Sequence, residues 1–208
     1  MVNQFSQFIN KFLIIFFVIL FLNCNQSKKT DNTSTLGALL LYNNSKTTST
    51  CTGSSSTLTV TSSVGASGSE MGLTYACTQY GGSAYNPDLS WSGCPSTTKE
   101  FALLMTTLDK EGILKYNWVL YSIPNTTTSL AKNSTNVGTS GLGSDGPTLG
   151  YQAPCSSGLG KKDYTFTIYA LSSSPTLTSG TTVTGSVLST AISSITAASG
   201  SITLSVTR

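Results

Sequence analysis

The chain has 208 residues, with 11 basic and 8 acidic side chains and no histidine. From residue 51 onward seven basic residues balance seven acidic ones, so the basic surface that nucleic-acid binding requires is missing. Without histidine the commonest general base and metal ligand are missing too, which excludes serine–histidine and cysteine–histidine catalysis. We therefore expect a binding protein that uses no cofactor and no metal ion, rather than an enzyme.

The N-terminus carries a short apolar segment. Lys11 precedes eleven apolar residues at positions 12–22, fewer than the roughly 20 that span a bilayer and within the roughly 7–15 of a signal-peptide core. The segment leads to Cys24, at the position where bacterial lipoproteins carry their lipid. The sequence predicts a signal peptide over residues 1–23 and a palmitate-bearing anchor at Cys24. Asn23 departs from the small residue usual there, and ordinary cleavage with Cys24 as a bystander is the alternative.

Residues 24–50 are polar and rich in Ser, Thr, Asn and Lys. This composition predicts a flexible spacer between a membrane and a folded domain. The apolar cluster at residues 36–42 interrupts the spacer, and its alternative interpretation is a first edge strand. Together these features predict an exported protein that is tethered by lipid to a membrane of the bacterial cell envelope.

Several segments after residue 50 have the apolar patterns of regular structure. Strands are predicted over residues 54–61, 101–107, 118–123, 164–171 and 201–207. A helix is predicted over residues 184–195, capped by Thr184 or Thr182, because one helical face would carry Val187, Leu188, Ala191, Ile192 and Ile195. The long loop at residues 137–160 is rich in Gly and Ser, as binding loops and disordered loops both are.

Four cysteines follow Cys24, namely Cys51, Cys77, Cys94 and Cys155. Their spacings match no zinc signature, and export would allow them to oxidise, so we predict disulfides. Three pairings are possible. Cys77–Cys94 is preferred as a short local loop whose closure contributes about 3 kcal/mol in the chain-entropy model. The alternative is a set of unpaired buried thiols.

Five motifs follow one another between residues 86 and 171. They are Asn-Pro-Asp-Leu-Ser-Trp-Ser-Gly-Cys-Pro at 86–95, Lys-Glu-Phe-Ala-Leu at 99–103, Asn-Trp-Val-Leu-Tyr-Ser-Ile-Pro at 117–124, Tyr-Gln-Ala-Pro-Cys at 151–155 and Tyr-Thr-Phe-Thr-Ile-Tyr-Ala-Leu at 164–171. In this order they resemble the phosphatidylethanolamine-binding protein (PEBP) family, in its bacterial, Raf kinase inhibitor-like branch. The resemblance implies that residues 51–208 form a mostly antiparallel β-sandwich of Greek-key type, with one or two short helices near the C-terminus.

The resemblance also implies a small surface pocket for an anion such as phosphate or a phospholipid headgroup. Carried over residue by residue, that pocket is altered in this chain. Its positions are Thr107 for the first Asp of the family's Asp-Pro-Asp turn, Asp109 for the second Asp, Asn117 for the first His, Pro154 in the Gly-Pro loop, Lys162 for the second His and the retained Tyr164. The altered set either still binds an anion through its lysine and hydrogen-bond donors, or it is a lapsed site made of ordinary loop residues.

The remaining candidates have simpler interpretations. Trp91 and Trp118 lie beside apolar strands and are expected in the core, and Asp109 and Glu111 are expected to be solvated turn residues. The function predicted from the sequence is that of a non-enzymatic, lipid-anchored envelope protein that binds a small anionic ligand. The alternative is a cell-surface interaction or protease-inhibitor-like protein that acts through its long loops.

Overall fold

The computed structural model describes residues 51–177 and 182–208, which belong to one compact unit. They form a mostly β fold with two antiparallel sheets and one α-helix, which confirms the predicted fold class. The predicted signal peptide, Cys24 and the spacer lie outside the described residues. Within the described residues no helix is both long and apolar enough to cross a membrane.

Eight strands make up the two sheets. They are β1 Thr59–Thr61, β2 Leu89–Ser92, β3 Glu100–Leu108, β4 Leu114–Pro124, β5 Ser129–Leu130, β6 Thr139–Ser140, β7 Lys161–Leu171 and β8 Thr196–Thr207. The larger sheet has the order β6-β4-β3-β7-β8, and the smaller has the order β1-β2-β5. Two short 3-10 helices, Leu73–Tyr75 and Thr78–Tyr80, lie between β1 and β2, and the α-helix α1, Gly185–Ile192, precedes β8.

Strand β3 runs through the middle of the larger sheet and is buried on both faces. Phe101, Leu103 and Met105 join the core that the two sheets share, whereas Ala102 and Leu104 pack with residues of α1 on the opposite face. A strand covered on both faces has a continuous apolar sequence, which is why this segment shows no alternation.

The two tryptophans belong to the shared core, as expected. Each is 3% exposed, and each meets another aromatic ring edge to face. The ring centroids are 5.4 Å apart for Trp91 and Phe101, and 5.3 Å apart for Trp118 and Tyr151. Such pairs add roughly 0.5–1.5 kcal/mol beyond the area that they bury.

The helix is shorter than the sequence pattern predicts. It spans Gly185–Ile192, and the side chain of its N-cap, Thr184, accepts a hydrogen bond from the backbone N–H of Val187. Val187 is 38% exposed rather than buried, and the sheet side of the helix carries Leu188 and Ile192. Gly185 allows this close packing, because a Cβ there would lie 2.0 Å from Cγ of Tyr116 on β4.

The cysteines form disulfides, but the preferred Cys77–Cys94 pairing is wrong. The bonds join Cys51 to Cys94 and Cys77 to Cys155, over sequence separations of 43 and 78 residues. Hydrogen bonds place each pair together, since the N–H of Gly53 donates to the carbonyl of Cys94 and the N–H of Cys77 donates to the carbonyl of Pro154. A short loop favours closure only in the unfolded chain. In the folded protein, each cysteine pairs with the one that the surrounding backbone places beside it.

The loop at residues 137–160 is held against the edge of β4. Its residues Thr139–Ser140 form β6, which pairs with β4. Beyond β6, the N–H of Ser144 donates to the carbonyl of Tyr116, and the N–H of Gln152 donates to the carbonyl of Asn117. This attachment positions the loop as a wall of the cavities described below.

Candidate functional site

A cavity of about 450 Å³ opens beside the β3–β4 hairpin and the start of β7. It is lined by five of the six predicted ligand-binding residues, namely Thr107, Asp109, Asn117, Lys162 and Tyr164. The sixth, Pro154, lines an adjoining cavity of about 210 Å³, which also includes Lys162 and Tyr164 in its wall. The structure thus brings together residues that are up to 57 positions apart in the sequence.

The charged residues around the larger cavity are mostly paired with one another. Nζ of Lys110 lies 3.3 Å from Oε1 of Glu111, and Nζ of Lys115 lies 3.4 Å from Oδ2 of Asp109. Lys162 takes part in no ion pair within residues 51–177 and 182–208, and its side chain is half-buried at the junction of the two cavities. Within the larger cavity, its ammonium group is therefore the cation that an incoming anion can meet without breaking an ion pair.

Asp109 stabilises the β3–β4 turn. Its Oδ1 accepts hydrogen bonds from the backbone N–H groups of Ile113, at 2.8 Å, and Glu111, at 3.0 Å. The hydrogen bond from Ile113 and the interaction with Lys115 hold the pKa of this carboxyl below its usual range. Glu111 is exposed and pairs with Lys110, as expected of a solvated turn residue, whereas the side chain of Asp109 is only 21% exposed because it is held inside the turn.

A third acid, Asp145, lines the cavity and was not among the predicted site residues. The Nδ2 of Asn117 donates to its Oδ2 at 2.8 Å. The side chain of Gln152 forms two hydrogen bonds with the backbone of Asp145. Its Oε1 accepts from the N–H of Asp145 at 3.0 Å, and its Nε2 donates to the carbonyl of Asp145 at 2.9 Å. The sequence offers one signal for this residue, since Asp145 carries the only charge in the loop at residues 137–160.

The amide of Asn117 has a fixed orientation and an unused oxygen. Its nitrogen must face Asp145, because a flipped amide would place oxygen against a carboxylate. Its Oδ1 is buried and has no hydrogen-bond partner within the described residues. A buried acceptor without a donor costs roughly 1–3 kcal/mol, so an N–H or O–H group that enters here is stabilised.

Thr107 and Tyr164 contribute differently to the wall. The hydroxyl of Thr107 donates to the carbonyl of Asp163 at 2.7 Å, so its proton is already used inside the protein. Burial, together with the negative charge of Asp145, raises the pKa of Tyr164 to about 12. Tyr164 is therefore a neutral phenol at physiological pH, and its hydroxyl forms no hydrogen bond with another described residue.

The adjoining cavity is more apolar. Leu73, Ala76 and Val206 lie in its wall, together with Tyr80, whose ring centroid is 3.4 Å from the guanidinium carbon of Arg208. Arg208 also donates from Nη1 to the carbonyl of Ser156 at 2.7 Å. A ligand bound at Lys162 could therefore extend an apolar portion along this second wall. No group of histidine, cysteine or acidic residues suited to a metal ion occurs in the part of the chain that the structure describes.

The fold is that of a PEBP-type protein, and comparison with known proteins agrees. The sequence profile described as phosphatidylethanolamine-binding protein matches residues 61–207, and the chain belongs to this family. No curated protein matches it significantly in sequence.

Two solved structures have a similar fold. The PEBP homolog CT736 of Chlamydia trachomatis has a TM-score of 0.65 and 24% identity, over 74% of this chain and 99% of its own. E. coli YbcL, described as a member of the mammalian PEBP family, has a TM-score of 0.64 and 21% identity, over 73% of this chain and 98% of its own. At these identities the likeness establishes the shared fold.

Proposed function

We propose that the protein is a non-enzymatic, lipid-anchored envelope protein whose PEBP-like domain binds a small anionic ligand at Lys162. The ligand is inorganic phosphate or a phosphorylated headgroup. The observation that carries this proposal is a half-buried lysine without an ion-pair partner among the described residues, beside a neutral phenol, in the wall of a cavity. Hydrogen bonds between an ammonium group and an anionic oxygen are roughly twice as strong as those between neutral groups.

The acid in the same cavity narrows the choice of ligand. Asp145 repels a ligand that carries only negative charge, and the unused Oδ1 of Asn117 favours one with a hydrogen-bond donor. An anionic group with a protonated oxygen or a nearby ammonium satisfies Lys162 and these acceptors together. We therefore expect O-phosphoethanolamine to bind more tightly than inorganic phosphate.

An NMR titration of the mature protein with these two compounds tests the proposal. Amide signals of Asn117, Lys162 and Tyr164 should shift and saturate, and Lys162→Ala should weaken binding about 10- to 100-fold through the loss of one charge-assisted hydrogen bond. Lys161→Ala is the matched control, because that lysine is exposed and pairs with Asp163 at 3.8 Å. Unmoved signals at millimolar ligand, or equal losses in the two variants, would refute anion binding at Lys162.

The anchor is a separate part of the proposal and has its own test. It is supported by the eleven-residue apolar segment that leads to Cys24. Labelled palmitate should enter the wild-type protein in its native host and should not enter Cys24→Ala. Equal labelling of both proteins, or no labelling of either, would contradict lipidation at this residue.

A second candidate function is a protein-binding surface on the loop at residues 137–160. The observation that favours it is the exposure of two leucines, with Leu149 57% and Leu159 83% exposed. A pull-down from host extracts would compare the wild-type protein with a double variant, Leu149→Ser with Leu159→Ser. Equal recovery of partners by both proteins would count against this function.

A further inference from the structure

A third cavity, of about 260 Å³, is lined in part by Ser140, Leu149 and Tyr151 of the same loop. Its wall shares no residue with the two cavities around Lys162, and it contains no charged residue. Its lining includes Tyr151 and a small exposed part of Trp118, the ring that Tyr151 meets edge to face and that is otherwise buried in the core. We propose that this cavity is a second binding site, for a neutral ligand with several hydroxyl groups and the size of a monosaccharide.

The rim of the cavity is rich in polar groups without internal partners. Asn133, Ser134 and Thr135 follow one another in the chain, and Ser140 faces them from β6. None of these four side chains forms a hydrogen bond with another described residue, so each is available to a ligand. Amide and hydroxyl groups both donate and accept, which is what a ring of hydroxyl groups requires.

The backbone around the rim is held in an uncommon conformation. Ala84 and Asn133, with φ of 56° and 57°, are two of the three non-glycine residues with a left-handed backbone in the described ranges. For a residue with a Cβ this conformation costs roughly 1–2 kcal/mol, and such residues concentrate at functional sites. The buried Asn86 fixes both segments, because its Nδ2 donates to the carbonyl of Ala131 and its own carbonyl accepts from the N–H of Asn133.

The chemistry of the wall selects the ligand class. A charged ligand would find no counter-charge there, and a purely apolar one would leave the rim groups unpaired. A sugar presents hydroxyl groups at its edge and C–H groups on its faces, which match the polar rim and the apolar part of the wall, where Val137 and Leu149 lie. The volume is close to the lower limit of small-molecule sites, roughly 300 Å³, and suits one sugar ring.

Tryptophan fluorescence provides the test, because the chain has two tryptophans and Trp91 lies away from this cavity. In the variant Trp91→Phe the emission comes from Trp118 alone. Glucose, galactose, N-acetylglucosamine and myo-inositol are titrated separately to high millimolar concentration. The proposal predicts a saturable change with at least one of them, and amide shifts at Ser134, Thr135 and Ser140 in the wild-type protein under the same conditions.

Two variants of β6 separate this site from its surroundings. Ser140→Leu fills the cavity and should weaken binding at least about tenfold, equivalent to roughly 1.4 kcal/mol. Thr139→Leu is the matched control, because the neighbouring residue does not line the cavity. Lys162→Ala should leave the sugar response unchanged, which keeps this site distinct from anion binding. No saturable response to any of the four compounds, in either fluorescence or amide shifts, would overturn the proposal, and so would equal effects of the two leucine variants.

Discussion

Replacing Gln152 by leucine removes the side chain that holds Asp145 in the cavity wall. The amide of Gln152 forms three hydrogen bonds, with the N–H of Asp145, the carbonyl of Asp145 and the carbonyl of Thr148, at 3.0, 2.9 and 3.2 Å. At about 1 kcal/mol net for each bond, Gln152→Leu should lower the free energy of unfolding by roughly 2–3 kcal/mol. For a domain of this size that corresponds to a fall in Tm of about 5–10 °C.

Urea unfolding followed by tryptophan fluorescence measures this loss, and hydrogen exchange localises it. The amide proton of Asp145 should exchange faster in Gln152→Leu, because its acceptor is gone. Gln79→Leu is the matched control, since Gln79 is exposed, and it should stay within about 0.5 kcal/mol of the wild type. If the two variants were equally stable, the network around Asp145 would not hold the loop, and the reasoning would be wrong.

Three further predictions concern other parts of the structure. Peptide mapping without reduction should recover Cys77 joined to Cys155, and any other partner for Cys77 would contradict the structure. Replacing both cysteines by alanine should lower the free energy of unfolding by about 4 kcal/mol in the chain-entropy model. Gly185→Ala should lower the free energy of unfolding in urea by roughly 1–3 kcal/mol, because the added Cβ overpacks the contact with Tyr116 even though alanine favours helices by about 1 kcal/mol. A more stable variant would show that the helix has room for a Cβ. Burial raises the pKa of Tyr164 to about 12, so the contribution of this residue to stability is complete below about pH 10 and is lost as the pH rises towards 12. Tyr164→Phe should therefore reduce the loss of stability at alkaline pH by up to about 2 kcal/mol. If stability fell with pH identically in the variant and the wild type, the raised pKa would be contradicted.

The longer strands could be predicted because their patterns of apolar residues follow which side chains are buried. Strand β7 alternates, with Tyr164, Phe166 and Ile168 buried and the residues between them more exposed. Strand β3 is apolar without a break from Phe101 to Met105, where both of its faces are covered. The short strands β2, β5 and β6 were not predicted. Two to four residues show no period, and such segments become strands only through the neighbours with which they pair.

The site residues likewise divide into those on long strands, which the sequence located, and those on segments positioned by their neighbours, which it did not. The family motifs located Thr107, Asn117, Lys162 and Tyr164, since each occupies or adjoins a long strand whose register the sequence sets. Asp145 was missed because its position depends on backbone hydrogen bonds between the loop and β4, which no local pattern records. The disulfide partner of Cys77 was wrong for a related reason, since sequence distance describes the unfolded chain.

The central claim is that Lys162 and Tyr164 hold an anionic group in this cavity. A crystal structure of the protein grown with saturating O-phosphoethanolamine tests it most directly. We predict phosphate oxygens within hydrogen-bonding distance, about 2.7–2.9 Å, of the Nζ of Lys162, with the phenol of Tyr164 donating to the same group. A cavity that holds only water under these conditions, or a phosphate bound elsewhere on the surface, would contradict the proposed function.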